Sequence, residues 1–154
     1  MRIHIIAVGP MKSGPERTLV DDLVSRARKT GRPLGLRDVA EHQVQGGGGK
    51  DAEAERLLSA LPRGSRLVAL DEHGKAWSSM AFAERLSALR DAGTTDLCFA
   101  IGGADGHGPR LLAAAAETLA FGVQTWPHKL VRVMLAEQLY RSTTILAGMP
   151  YHKA

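Results

Sequence analysis

Short, dense apolar runs alternate along this chain with longer segments in which apolar residues recur every three or four positions. No single motif limits the possible folds as strongly. The run IHIIAV near the start is rich in β-branched residues and is broken at once by GPMKSGP, the pattern of a strand buried on both faces of a sheet. From Glu16, the residues Leu19, Val20, Leu23, Val24 and Ala27 share one stripe at helical spacing, which Gly31 and Pro33 close. LGLRDV reads as a weaker second strand. Four consecutive glycines then make residues 45–50 a mobile surface loop, and a helix is expected over 51–61 with Leu57, Leu58 and Leu61 inward, stopped by Pro62 and Gly64.

The same alternation runs to the end of the chain. RLVALD is a third strand with EHGKAW as its exit turn; Ser78 or Ser79 caps a helix that buries Phe82, Leu86 and Leu89 and ends at Gly93. DLCFAIGG is a fourth strand. Pro109 suits the first turn of the next helix, which LLAAAAETLA propagates, and GVQTW is a short fifth strand stopped by Pro127. Leu130, Val131, Met134, Leu135 and Leu139 mark one face of a last helix, and residues 143–154 are read as a tail. Strands alternating with helices predict an α/β fold: a mostly parallel sheet of about five strands with helices on both faces.

A length of 154 residues suits one domain over 1–154. Hydrophobic residues at 44% and charged residues at 23% exclude disorder over most of the length. A net charge of +4 and a pI near 9.6 favour a polyanionic partner without demanding one. Cys98 is the single cysteine, so an intrachain disulfide and a cysteine-based zinc site are both excluded, and no metal is expected. No signal segment or membrane span is expected, which points to a cytoplasmic protein.

LCFAIGGADGHG, where apolar residues run straight into four glycines, is the candidate ligand turn, because open α/β sheets bind ligands beyond the carboxyl ends of their strands. Gly102, Gly103, Gly106 and Gly108 offer no register for a dinucleotide fingerprint. Gly103 and Gly108 have Walker A spacing, but Pro109 and Arg110 follow where Lys and Ser/Thr are needed. Asp105 within the turn would repel a phosphate. The loop suits close backbone approach to a flat, cationic ligand; taken by itself it fits a plain strand-to-helix connection equally well.

Further residues carry a resemblance. TWPHKLVRVMLAEQLYRSTTILAGMPYHKA, together with LDEHGKAWSS and FAIGGADGHG, resembles the RlmH family of bacterial large-subunit rRNA methyltransferases, of the SPOUT class, over nearly the whole chain. The resemblance implies transfer of a methyl group from S-adenosylmethionine to N3 of a pseudouridine in helix 69 of 23S rRNA. It also implies action on assembled ribosomes, a homodimer, and a deep trefoil knot at the carboxy end. It places the cofactor on Leu70, Gly103, Gly122, Val123, Gln124, Thr125, Trp126 and Pro127. The turn differs from relatives that read Gly-Gly-Pro-Glu-Gly or Gly-Gly-Ser-Gly-His, and the tract from Gly46 to Gly49 is not a family hallmark.

Removing the N3 proton of a uracil-like ring calls for a base or for a group that stabilises the ring anion. His128 follows the implied cofactor loop, and the unperturbed pKa of a histidine lies near neutrality, although a loop histidine bonded to backbone has the same sequence signature. Arg141 lies one turn from Glu137, either as a surface ion pair or facing RNA. Tyr151, His152 and Lys153 combine a stacking ring with positive charge, suited to single-stranded RNA. Arg26, Arg28, Lys29 and Arg32 either extend that surface or complement a helix dipole. Trp77 and Trp126 suit an apolar cover or a dimer contact. The alternative in another class is a nucleotide- or flavin-binding module on a flavodoxin-like sheet, without methyl transfer; the failed glycine templates count against it. A ribosome-binding protein that has lost catalysis is a third reading.

Overall fold

The first strand, β1 (Arg2–Val8), shows why this chain forms a two-sided sheet: six of its seven residues are buried, and alternate side chains enter two separate cores. Ile3, Ile5 and Ala7 join a core shared with Val20, Val24 and Ala27 of α1 (Pro15–Gly31). Ile6 and Val8 join another, with Ala54 and Leu57 of α2 (Gly49–Ser59). The structure, a computed structural model, describes residues 1–153. The sheet is parallel throughout, in the order β2-β1-β4-β3-β5, with β2 at Asp38–Val44, β3 at Arg66–Ala76, β4 at Asp96–Ile101 and β5 at Glu117–Ala120.

Helices α1, α3 (Ser79–Asp91) and α5 (His128–Leu146) cover one face, and α2 and α4 (Pro109–Ala114) cover the other, as the strand–helix alternation predicts. Ser78 caps α3 by accepting the Ala81 N–H at 3.1 Å. Phe82, Leu86 and Leu89 are buried as expected, and Phe82 stacks on Phe99 of β4 at 5.7 Å between ring centres. Cys98 is buried in β4, and burial pushes its thiol pKa up to about 11. Among the described residues, no helix is long and apolar enough to cross a membrane. Among the described residues, no group of three or more His, Cys, Asp or Glu is placed to hold a metal.

Several boundaries differ from the sequence reading. Residues 34–37 lie in a 3-10 turn and its exit, so the second strand starts at Asp38. The tract read as a loop over 45–50 gives up Gly49 and Lys50 to α2; Gly47, Gly48 and Gly49 have φ of +100°, +84° and +90°, and Gly48 is the helix cap. Two side chains of α2 tie the tract down. Glu53 accepts the Gly47 N–H, while Arg56 donates to the carbonyls of Gln45 and Gly47 at 2.9 and 2.7 Å. EHGKAW, expected to be the exit turn, instead continues β3 to Ala76 through a bulge between Leu70 and Lys75. Gly74 sits in the bulge because a Cβ there would stand 2.7 Å from the Leu119 nitrogen.

The largest correction concerns the fifth strand. LLAAAAETLA was read as helix, but α4 stops at Ala114 and residues 117–120 pair with β3, so GVQTW is a loop. The last helix also outruns its expected end. It absorbs residues 143–146, because the Thr143 and Thr144 hydroxyls donate to carbonyls three residues back, of Tyr140 at 2.6 Å and Arg141 at 2.7 Å, which allows both side chains to be buried. Residue 154 of the expected tail lies outside the described residues.

Candidate active site

The bulge of β3 and the carboxyl ends of β4 and β5 open onto a cleft of about 670 Å³. Its walls are residues 70–73, 101–107, 119–121 and 124–128, with Lys50, Leu112 and Val131 completing the lining. Leu70, Gly103, Gln124, Thr125, Trp126 and Pro127, from the sequence-derived cofactor set, all line it, as does His128. Gly122 and Val123 belong to the same loop but do not line the cleft; Val123 is fully exposed.

The glycine turn is shaped by space as much as by conformation. A Cβ on Gly102 would lie 2.9 Å from the Gly106 carbonyl carbon, and the Gly106 N–H closes the turn onto the Gly103 carbonyl at 3.0 Å. Gly106 has a φ of +73°, the region that glycine favours. Beyond it, His107 folds back so that Nε2 lies 3.1 Å from the Ala100 carbonyl. A carbonyl only accepts, so Nε2 carries the proton and donates, which leaves Nδ1 as an acceptor. Burial lowers the His107 pKa, and the ring is neutral near pH 7. The sequence reading gave His107 no role; its only local sign was a histidine among turn glycines.

The loop between β5 and α5 is held at three points. Gly122 turns it with a φ of +94°, the Trp126 indole N–H donates to the Phe121 carbonyl at 3.0 Å, and the Thr125 hydroxyl donates to Glu72 at 2.6 Å. Pro127 leads into α5, and His128 is the helix's first residue. Burial, followed by the positive charges of Arg132 and Lys129, lowers the His128 pKa, partly opposed by Glu53. That leaves a neutral imidazole, able to accept a proton, at the mouth of the cleft.

Arg132, one turn along α5, is another residue the sequence reading assigned nothing. It is 1% exposed, donates to Glu41 at 3.3 Å and to the Gly9 carbonyl at 3.1 Å, and so anchors α5 to β2 and to the end of β1. Arg17 of α1 meets the same Glu41 carboxylate at 2.6 Å. Arg132 looks like surface in the sequence, because its partner lies 91 residues away.

Arg141, Tyr151 and His152 form a second group, away from the cleft. Arg141 pairs with Glu137, approaches His152 Nδ1 at 3.3 Å and lies over the Tyr151 ring at 4.9 Å; the Tyr151 hydroxyl donates to Glu137 at 3.1 Å. At the rise of an α-helix, the thirteen steps from His128 to Arg141 span about 20 Å. Within one chain, the residues expected to act together therefore occupy two places.

A parallel α/β sheet with a cleft at its carboxyl rim, walled by a glycine turn and by the loop entering the last helix, defines a protein of the α/β sandwich type with an open crevice where such sheets take their ligands. The family model described as "Predicted SPOUT methyltransferase" matches residues 1–152, and the chain belongs to that family. Three relatives named Ribosomal RNA large subunit methyltransferase H are similar over almost their whole length. The protein from Hyphomonas neptunium is 58% identical across all of both chains, and those from Cereibacter sphaeroides and Ruegeria sp. are 54% and 52% identical across 99% of each. A Legionella pneumophila protein solved in complex with the bound cofactor SAM aligns over 90% of this chain and 65% of its own, with a TM-score of 0.48 at 11% identity, too distant a match to bear on the cleft.

Proposed function

We propose that this methyltransferase acts on ribosomal RNA, transferring a methyl group from S-adenosylmethionine to N3 of a pseudouridine in helix 69 of 23S rRNA, on assembled ribosomes in the cytoplasm. The observation that carries the reading is the convergence of residues 70–73, 101–107 and 124–128 on one cleft, in a chain 58% identical to a large-subunit rRNA methyltransferase.

The chemistry of the walls fits a cationic donor. Leu70, Ile101, Leu119 and Trp126 supply apolar surface, and the glycine turn lets backbone approach a ring closely. Asp71, Glu72 and Asp105 place negative charge around the cleft, while Lys50 is the one lysine or arginine among its lining residues, a balance that suits a sulfonium better than a phosphate. S-adenosylmethionine, when bound, supplies a methyl group on a positively charged sulfur, open to in-line attack. His128, neutral near pH 7, takes the N3 proton, and the apolar walls keep water from the reacting atoms.

The group of Arg141, Tyr151 and His152 is the RNA-facing part: a guanidinium for phosphate or the base edge and a ring for stacking. Its separation from the cleft along α5 supports a homodimer in which one protomer's group faces its partner's cleft. The carboxy-terminal trefoil knot belongs to the same reading. In its support, the chain leaves the sheet edge at β5, turns through residues 121–127 and packs α5 back between α1 and α3.

Mass spectrometry of 23S rRNA from cells lacking the gene tests the assignment. The helix 69 pseudouridine should lose its methyl group, and persistence of the mark overturns the reading. Calorimetry with S-adenosylmethionine, FMN and ATP separates it from a nucleotide or flavin carrier.

A further inference from the structure

Two glycines far apart in sequence, Gly46 and Gly103, lie against the same carboxylate. Glu53, in the second turn of α2, points its side chain back between the 46–47 loop and the glycine turn. Its Oε2 accepts the Gly47 N–H at 3.0 Å. A Cβ on Gly103 would stand 3.3 Å from both Glu53 oxygens and from Val8 Cγ1; one on Gly46 would stand 3.4 Å from Oε2 and from the same Val8 methyl. Neither glycine has a positive φ. Conformation therefore does not call for glycine at either place; a side chain at Gly103 would press on the Glu53 carboxylate and Val8, whereas one at Gly46 would meet the same two groups at ordinary contact distance.

Glu53 is half-buried, and among the described residues it makes no ion pair. It does not line the cleft but stands behind the wall that Gly103 forms. Its negative charge is nonetheless felt inside. It opposes the burial that lowers the pKa values of both His107 and His128; Asp71 is the other charge acting on His107, and Arg132 and Lys129 are the others acting on His128.

We propose that Glu53 is a positioning residue of the cleft: its carboxylate braces the glycine turn against the 46–47 loop, and its uncompensated charge favours a cation in front of Gly103. The four-glycine tract then has a purpose, which is to let α2 begin close enough to the turn for Glu53 to reach it. The inference rests on the reading of the cleft as the S-adenosylmethionine site.

Two variants test it. Glu53→Gln keeps the size and an acceptor for Gly47 but removes the charge, whereas Glu53→Ala removes the brace as well. Calorimetry should show S-adenosylmethionine binding weakened by roughly threefold to tenfold in the glutamine variant, the scale of a screened attraction across the turn, and further in the alanine variant. Imidazole titrations followed by NMR should show the pKa values of His107 and His128 lower in both variants, a shift that a purely structural brace would not produce in the near-isosteric glutamine protein. Unchanged affinity in both variants, or histidine titrations that do not move, overturns the proposal. Wild-type protein that ignores S-adenosylmethionine overturns the cofactor reading instead, and the histidine titrations then judge Glu53 alone. Should the alanine variant fail to fold, the glutamine variant still decides.

Discussion

The Thr125 hydroxyl donates to the Glu72 carboxylate at 2.6 Å, joining the bulged end of β3 to the loop that enters α5. Both residues line the cleft, so this bond closes one side of it. Thr125→Val keeps the shape and removes the donor. S-adenosylmethionine binding should weaken on the order of threefold to tenfold by calorimetry, the usual worth of one hydrogen bond. The melting temperature should hardly move, because the pair is exposed.

Arg132 and Glu41 should respond unequally to substitution. Glu41→Gln leaves the guanidinium of Arg132 buried without a countercharge, at a cost of about 3 kcal/mol. Arg132→Met leaves Glu41 still paired with Arg17 at 2.6 Å and fills the space with apolar atoms, so its cost should be about 1 kcal/mol or less. Urea denaturation checks the order; a reversed order would mean that Arg132 is held by its packing and by the Gly9 carbonyl rather than by Glu41.

Acid stability should carry a contribution from Asp96. The Arg2 guanidinium, hydrogen-bonded to it twice at 2.9 Å, holds its pKa below the usual carboxylate range; burial opposes this, and a hydrogen bond with His4 adds to it. The folded-state pKa is thus below the unfolded one. The resulting stability is fully present above the unfolded value, about 3.9, and is lost as pH falls through the folded value. Melting curves of wild type and Asp96→Asn should differ most at pH 6 and draw together as the pH is taken down below the ordinary carboxylate range. A constant difference across that range would show that Asp96 contributes packing alone.

Arg141→Ala should separate the two halves of the reaction. Affinity for S-adenosylmethionine should equal that of wild type, because Arg141 does not line the cleft, whereas rRNA methylation should fall by on the order of tenfold or more. Equal loss of both would place Arg141 in the cofactor site.

The elements visible in the sequence were those whose signal is local. β1 and β4 are apolar on both faces, and α1, α3 and α5 each show a stripe, because a buried strand or a half-buried helix must show its environment residue by residue. β5 escaped for the opposite reason. Four residues are too few to show alternation, and the alanines before it favour helix, yet Ala115 turns to an extended ψ of 134° so that residues 117–120 can pair with β3. The glycine turn was legible because its glycines mark a departure from regular structure, whereas the loop over 122–126 has the residue types of a short strand and the end of β3 those of a turn. Glu53, His107 and Arg132 were not legible, since the role of each depends on groups brought together only by the fold: Gly47 and Gly103 for Glu53, Ala100 for His107, Glu41 and Gly9 for Arg132.

The sole thiol, on Cys98, is enclosed in the central strand and resists ionisation. Maleimide reagents at neutral pH should therefore leave the native chain untouched. A cysteine introduced at the fully exposed Val123, on the loop beside the cleft, would be the single handle for a fluorophore, and motion of that loop could be followed without first removing any native sulfhydryl.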